Sequence, residues 1–218
     1  MDTEQVHSDS STPEEIEKPR LKREAFELVK LVVLFLVVFW VIRTFVVEGY
    51  EVLGDSMLPN LHDRDHILVF KLPHWFKTVD YFDWVKPFKE GDIIIFEDQT
   101  HKRYVKRLIA YNPALSSHSV DAAPLIDGND SSAQVKVEYD RGVVRVNNWQ
   151  IDESDYLPDA ARQAPGRDIC YLQPGEYYVL GDNRSVSKDS RSFHAVTDKQ
   201  IVGRAVLRFW PLSKLQWF

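Results

Sequence analysis

The sequence predicts a mainly β protein, an antiparallel-sheet domain with a smaller inserted subdomain, preceded by one N-terminal transmembrane helix. Three observations predict it. Residues 28–47 form an apolar stretch long enough to span a bilayer. Beyond them the apolar residues come in short runs rich in Val, Ile, Tyr and Phe, and Gly, Pro, Asp and Asn separate those runs. A chain of 218 residues has room for one anchor and one domain carrying an insertion, with enough chain to bury a core.

The first element is the anchor. Twenty residues in a helix rise about 30 Å, the thickness of a hydrocarbon core. The run 31–42 carries no charge, so no polar face interrupts it as it would on the surface of a soluble helix. Lys30 and Arg43 stand near its two ends, where long cationic stems reach headgroups, and Trp40 suits the interface. A cleaved export signal is disfavoured by the long polar segment in front and by Arg43-Thr44-Phe45-Val46-Val47 where a small-x-small site would stand. Lys18, Arg20, Lys22 and Arg23 precede the run, whereas the next basic residue after Arg43 is Arg64, which places the N-terminus in the cytoplasm. Residues 1–27 are then a cytoplasmic tail, polar and disordered at its start.

Strands are expected near 47–53, 66–71, 92–97, 103–110, 135–139, 142–147, 176–180 and 200–209. Asp140-Arg141-Gly142 reads as a hairpin turn between two of them. The β core is assigned to 48–111 and 176–218, and the inserted, loop-rich part to 112–175. Residues 112–134 within it are rich in Ser, Ala, Asp and Pro and read as a surface excursion. The aromatics of 72–88 (Trp75, Phe76, Tyr81, Phe82, Trp84 and Phe88) read first as core packing and second as a membrane-contacting edge.

Composition excludes several functions. Lys and Arg total 27 against 33 Asp and Glu, a formal charge of -6, so the basic footprint of a nucleic-acid binder is missing. Cys170 is the only cysteine, which removes an internal disulfide and any thiolate metal cluster. The seven histidines make no metal-ligand spacing, and there is neither a Gly-x-Ser-x-Gly elbow nor a phosphate-cradling glycine loop. The sequence therefore calls for no metal and no cofactor.

Four segments hold the residues with chemistry: Gly54-Asp55-Ser56-Met57-Leu58-Pro59, Gly91-Asp92-Ile93-Ile94-Ile95-Phe96, Tyr104-Val105-Lys106-Arg107-Leu108-Ile109, and Gly181-Asp182-Asn183-Arg184-Ser185-Val186-Ser187-Lys188-Asp189-Ser190-Arg191. A serine in a Gly-Asp turn is by itself usually a turn residue, and a strand lysine usually faces solvent. Taken together, in this order and behind one anchor, the segments resemble the type I signal peptidases of bacteria over most of residues 40–210. The resemblance implies a membrane-bound serine endopeptidase that removes N-terminal signal peptides from exported preproteins after a small-x-small motif. It implies Ser56 as the nucleophile, Lys106 as the general base and Ser187 as a hydroxyl supporting the lysine. Its implied partners are exported preproteins, the lipid bilayer and the secretion translocon. The implied location is the bacterial cytoplasmic membrane, with the catalytic domain on the outer or periplasmic side.

Elementary chemistry is compatible with those roles. An ordinary lysine amine, with a pKa of about 10.4, is protonated near neutrality and takes no proton from a hydroxyl. Burial disfavours the charged form and can lower that value by roughly 3 to 5 units. On a strand, Tyr104, Lys106 and Leu108 share one face. An extended substrate can add as a strand beside 50–56 and 104–106, with Tyr50, Val52, Met57, Tyr104 and Val105 as pocket walls. Asp182, Arg184, Asp189 and Arg191 are assigned to ion pairs and hydrogen bonds that hold the last segment in place. The chain departs from the family where Gly54 stands at a position that many members fill with an oxyanion-binding serine, which leaves the Ser56 backbone N–H as the implied donor. Asn60 replaces a common Thr, Ala110-Tyr111-Asn112-Pro113-Ala114 replaces a Leu-Pro-Gly-Asp run, and His194-Ala195 replaces a Gly-Pro. The alternatives are a Ser-Lys protease of the self-cleaving repressor kind, against which the anchor argues, and a catalytically silent relative that binds export signals or acts as a membrane scaffold.

Overall fold

The computed structural model describes residues 13–71, 88–112 and 134–218. The first twelve residues, most of the aromatic segment and most of the 112–134 excursion lie outside them. The chain divides into two compact units, 1–44 and 45–218.

The first unit is a helix. α1 runs from Pro13 to Val41 and continues as a π-helical turn over Ile42–Val46. It begins well before the expected anchor, within the segment read as a polar tail. Proline suits the first turn of a helix, and the Glu, Lys, Arg and Leu residues behind it are strong helix formers. Among the described residues one segment, Arg23–Val46, is long and apolar enough to cross a membrane, with a mean hydropathy of 2.6. Val47, shared by the expected anchor and the expected first strand, opens the strand.

The second unit holds two antiparallel sheets. Its strands are β1 (Val47–Glu51), β2 (His66–Lys71), β3 (Ile93–Glu97), β4 (Arg103–Asn112), β5 (Val135–Asp140), β6 (Val143–Val146), β7 (Trp149–Gln150), β8 (Arg167–Leu172), β9 (Glu176–Leu180), β10 (Val196–Thr197), β11 (Ile201–Trp210) and β12 (Gln216–Trp217). The larger sheet has the order β1-β2-β11-β3-β4-β9-β10, with β12 added to β11; the smaller has the order β7-β6-β5-β8. Between Asp140 and Val143 the hairpin turn has positive φ at both Arg141 and Gly142, the conformation of a type I′ turn. Strand β8 was not foreseen.

Three apolar clusters organise the unit. Ile109, Ala110, Tyr178 and Leu180 of the larger sheet pack with Val135, Val137, Tyr139, Val144 and Leu172 of the smaller, joining the two. Val52, Met57, Leu61, Ile67, Val69, Ile93, Ile95 and Ala205 form a second cluster, against which Tyr50, Val105 and Val202 pack. The third gathers Phe88, Ile94, Phe96, Leu108, Tyr177, Val179, Val196 and Ile201. Because Ile93 and Ile95 enter the second cluster while Ile94 and Phe96 enter the third, β3 is covered on both faces, as its unbroken apolar sequence requires.

The second cluster also fixes the curvature of the larger sheet. Each neighbour in the run β1-β2-β11-β3-β4 is antiparallel to the last, so after four reversals β1 and β4 run in the same direction. They are not paired to each other, yet Tyr50 near the end of β1 and Val105 of β4 pack on the same cluster. The sheet therefore curls until its β1 edge faces β4. On β4, pairing with β9 begins only at Arg107, so residues 103–106 leave one backbone edge unpaired towards β1.

Candidate active site

Ser56 lies in a chain of turns that follows β1, and Lys106 lies on β4 where its two neighbouring strands change over. Their side chains meet: Lys106 Nζ stands 2.7 Å from Ser56 Oγ and donates to the Val105 carbonyl at 3.0 Å. The lysine is only 3% exposed. Burial lowers its pKa from 10.5 to about 8, while the Asp189 and Asp182 carboxylates act in the opposite direction and limit the fall. An amine in this range is in part unprotonated near neutrality, with its lone pair available to a hydroxyl at hydrogen-bond distance.

The segment 181–191 holds serine and lysine in place. Asn183 donates from its backbone to Ser56 O at 3.0 Å and from its side chain to Asp55 O at 3.1 Å, gripping the turn on both sides of the serine. Asp182, fully buried, receives a bidentate bond from Arg107, the residue after the lysine, at 2.7 and 2.6 Å. Asp189 accepts from Gly181 N at 3.0 Å, caps the one-turn helix α2 (Ser190–Phe193) and pairs with Arg191. Gly181 sits where these pieces close: an added Cβ would fall 2.1 Å from Ser187 Oγ and 2.5 Å from Ser56 O. Only a residue without a side chain lets both approach so near.

Ser187 Oγ is buried against Gly181 and makes no hydrogen bond. It packs beside the serine's backbone, while the lysine amine bonds to Ser56 Oγ and the Val105 carbonyl. The expected hydroxyl-to-amine contact is thus not made in this structure. Gly54 has φ +83, which favours glycine, although an added Cβ would meet nothing within 4 Å. Its N–H is bonded to Asp63 Oδ1 at 2.7 Å. Ser56 N–H makes no hydrogen bond among the described residues.

Four of the five proposed pocket walls come together. Tyr50, Val52, Met57 and Val105 all join the second cluster, Met57 at its fully buried centre. Tyr104 does not join them. It packs instead on Phe96 and Phe193, with ring centroids 5.5 and 6.4 Å away. Successive strand residues point to opposite faces, which places the Tyr104 ring with the third cluster and Val105 with the second.

Several contributors were not singled out in the sequence. Arg107 also donates to Gly91 O at 2.6 Å and lies 4.0 Å from the ring of Tyr156. Asn60, which replaces the common Thr, donates to Asp182 at 2.8 Å and to Tyr156 O at 2.7 Å. Glu153 accepts from the Tyr156 hydroxyl and pairs with buried Arg184. The pairing of unlike charges over long stretches of chain leaves no local pattern, and only the apolar surroundings of Arg107 hinted at burial.

The family model for signal peptidase, peptidase S26, matches residues 25–210. Signal peptidase IB of Staphylococcus aureus (strain MRSA252) is 28% identical over 214 residues, covering 90% of this chain and 95% of that protein. Signal peptidase I of Bacillus licheniformis is 30% identical over 205 residues, covering 89% and 94%. A crystal structure of a signal peptidase I from Enterococcus faecalis V583 aligns at 24% identity and a TM-score of 0.38, covering 55% of this chain and 97% of that one. The family model and the two relatives define the class, a peptidase. The chain belongs to the signal peptidase family, peptidase S26, as its four motifs implied.

Proposed function

We propose that this protein is a membrane-anchored endopeptidase that removes signal peptides from exported preproteins with Ser56 as nucleophile and Lys106 as base. The observation that carries the reading is the 2.7 Å approach of a buried, pKa-lowered lysine amine to the serine hydroxyl. As Ser56 Oγ bonds to the scissile carbonyl carbon, its proton passes to Lys106 Nζ; the ammonium then returns that proton to the departing amine, leaving an acyl ester on Ser56. Water attacks the ester as Lys106 takes its proton, and Ser56 leaves with that proton restored. The unpaired Ser56 N–H is the donor for the oxyanion, since the Gly54 N–H is already engaged by Asp63. Ser187 supports the site by packing beside Ser56 and Gly181.

The groove is the gap between β1 and β4. Both strands run towards the dyad, so a preprotein lying between them with its signal on the β1 start side adds parallel to both and presents its scissile carbonyl at Ser56. Half-buried Val105 lines it, with Val52 and Met57 packed behind, and this apolar surface fits a small-x-small motif. The basic residues Lys18, Arg20, Lys22 and Arg23, ahead of the apolar run of α1, favour a cytoplasmic N-terminus, with the β unit on the outer face of the bacterial cytoplasmic membrane, where signals emerge from the secretion translocon.

The test is cleavage of one model preprotein whose signal ends in Ala-x-Ala. Ser56→Ala and Lys106→Ala should each lose all measurable cleavage while keeping the wild-type circular dichroism spectrum. Full activity in either variant would overturn the mechanism.

A further inference from the structure

Arg208, near the end of β11, is only 7% exposed, and its guanidinium joins two distant parts of the chain. Nη1 donates to Asn60 O at 2.8 Å and to Asp65 Oδ2 at 3.1 Å. Nε donates to Lys214 O at 2.7 Å, and Nη2 donates to Gln216 Oε1 at 2.7 Å. The first two acceptors belong to the loop that carries Ser56. The other two belong to the C-terminal segment, which β12 secures to β11 through the pairs Leu207–Trp217 and Arg208–Gln216. A planar fork engaged at all three nitrogens has little freedom to turn.

The loop itself carries this contact to the nucleophile. Its base is closed by Val52 N donating to Asp65 O and Arg64 N donating to Val52 O, both at 2.8 Å. Within it, Leu61 N donates to Met57 O at 2.9 Å and Leu58 N to Asp55 O at 3.3 Å, so residues 55–61 coil with Asn60 one turn beyond Ser56. Met57 and Leu61 are fully buried in the second cluster and hold the coil to the core. Asn60 is the joint. Its carbonyl accepts from Arg208, while its side chain donates to Asp182, which Arg107 grips from the position next to Lys106. The line Arg208–Asn60–Asp182–Arg107 therefore runs from the nucleophile's turn to the base's strand without touching the groove.

We propose that Arg208 is a positioning residue for the dyad, fixing the Ser56 turn against the Lys106 strand through Asn60. This rests on the dyad reading above. Without the fork, Asn60 O loses its donor and the joint is held by the Asn60 side chain alone. The burial of Met57 and Leu61 keeps the loop folded, but the approach of Ser56 Oγ to Lys106 Nζ slackens, and proton transfer depends on that approach. None of the four acceptors of Arg208 belongs to Tyr50, Val52, Met57 or Val105, so the substrate's own contacts are left in place.

The test uses the full-length, membrane-reconstituted protein and one preprotein whose signal ends in Ala-x-Ala. Arg208→Met keeps the apolar stem and removes every donor. Its kcat should fall on the order of tenfold to 100-fold, the scale of a small misplacement of reacting groups, while KM stays within about threefold of the wild type. The same variant strands the Asp65 carboxylate, so thermal unfolding should move to lower temperature. Adding Asp65→Asn removes the stranded charge. That double variant should regain most of the unfolding midpoint while kcat stays low, because Asn60 O still has no donor. Asn60→Ala cuts the other half of the joint, and its loss in kcat combined with Arg208→Met should fall well short of the product of the two single losses. Recovery of kcat together with the midpoint in Arg208→Met with Asp65→Asn would overturn the proposal, as would losses that multiply in full or a rise in KM with kcat unchanged. Each of these results leaves the dyad standing. Cleavage that persists in Ser56→Ala would instead overturn the dyad reading, and the positioning role with it.

Discussion

At the scale of a single residue, Lys106 concentrates the protein's chemistry and a cost to its stability. In the unfolded chain its pKa is near 10.5 and in the folded protein about 8, so the folded state disfavours the proton. Below pH 8 the amine is protonated in both states, and the buried ammonium carries its full desolvation cost. Between those two values the unfolded chain binds more protons, stability rises with pH, and above about 10.5 both states are neutral and the cost vanishes. Two outcomes are expected. The rate of cleavage should fall on the acidic side as pH drops through about 8, followed as kcat/KM against pH on one preprotein. Lys106→Met, inactive, should unfold at a higher urea concentration than the wild type at pH 7, by up to about 3 kcal/mol, with the gain shrinking towards pH 10. Urea titrations at the two pH values measure it. Both effects follow from the same displaced equilibrium, so the acid limb and the stability gain should track each other.

At the scale of elements, the site exists because β4 changes partners halfway along. Its first half pairs with β3, its second also with β9, and Lys106 sits at the last residue before the change, with one edge open to β1. Strand β9 then delivers Gly181, around which Ser56 and Ser187 close. Gly181→Ala should force the 181–191 segment away from the nucleophile turn, since the added Cβ would stand 2.4 Å from Ser187 Cβ and 2.5 Å from Ser56 O. A displacement of about an ångström there is enough to cost about 100-fold in kcat. Overpacking adds roughly 1 to 3 kcal/mol of instability, so single-turnover rates and thermal unfolding should both report the change. Much of this level was legible in the sequence. Strands β2, β3, β4, β9 and β11 announce themselves by apolar runs, and Ser56 and Lys106 stand in motifs whose combination is rare. Strand β8 escaped notice because Ile169 and Tyr171 face solvent, so its alternation does not separate apolar from polar. The two-residue strands β7, β10 and β12 are too short to carry any period. Tyr104 packs apart from the other four candidates because its neighbours in sequence are not its neighbours across the sheet.

At the scale of the whole β unit, the two sheets are joined around the site by buried charge rather than by apolar packing alone. Arg184, almost fully buried, pairs with Glu153 from the segment after β7 and donates to Gly181 O at 3.0 Å. Tyr156 from the same segment covers the guanidinium of Arg107, which holds Asp182. The smaller sheet thereby reaches the strand that bears the base. Asp182 and Arg184 were legible as ion-pair members, but their partners were not, because Glu153 and Arg184 lie 31 residues apart and Arg107 and Asp182 lie 75 apart. Removing one member of a buried pair strands the other charge without water, at a cost of about 3 to 5 kcal/mol, whereas removing both with apolar replacements of similar size can be nearly neutral. Glu153→Ala should therefore lower unfolding stability by that amount, and Arg184→Met likewise. The double variant Glu153→Ala with Arg184→Met should lose less than the sum of the two single losses, by more than about 2 kcal/mol. Equilibrium unfolding of the four proteins gives this coupling directly. Additive losses would mean that the two sheets are held by their shared apolar cluster, with the ion pair contributing nothing of its own. Strong coupling accompanied by a fall in kcat for Glu153→Ala would mean that the inserted sheet also orders the strand on which the base is carried.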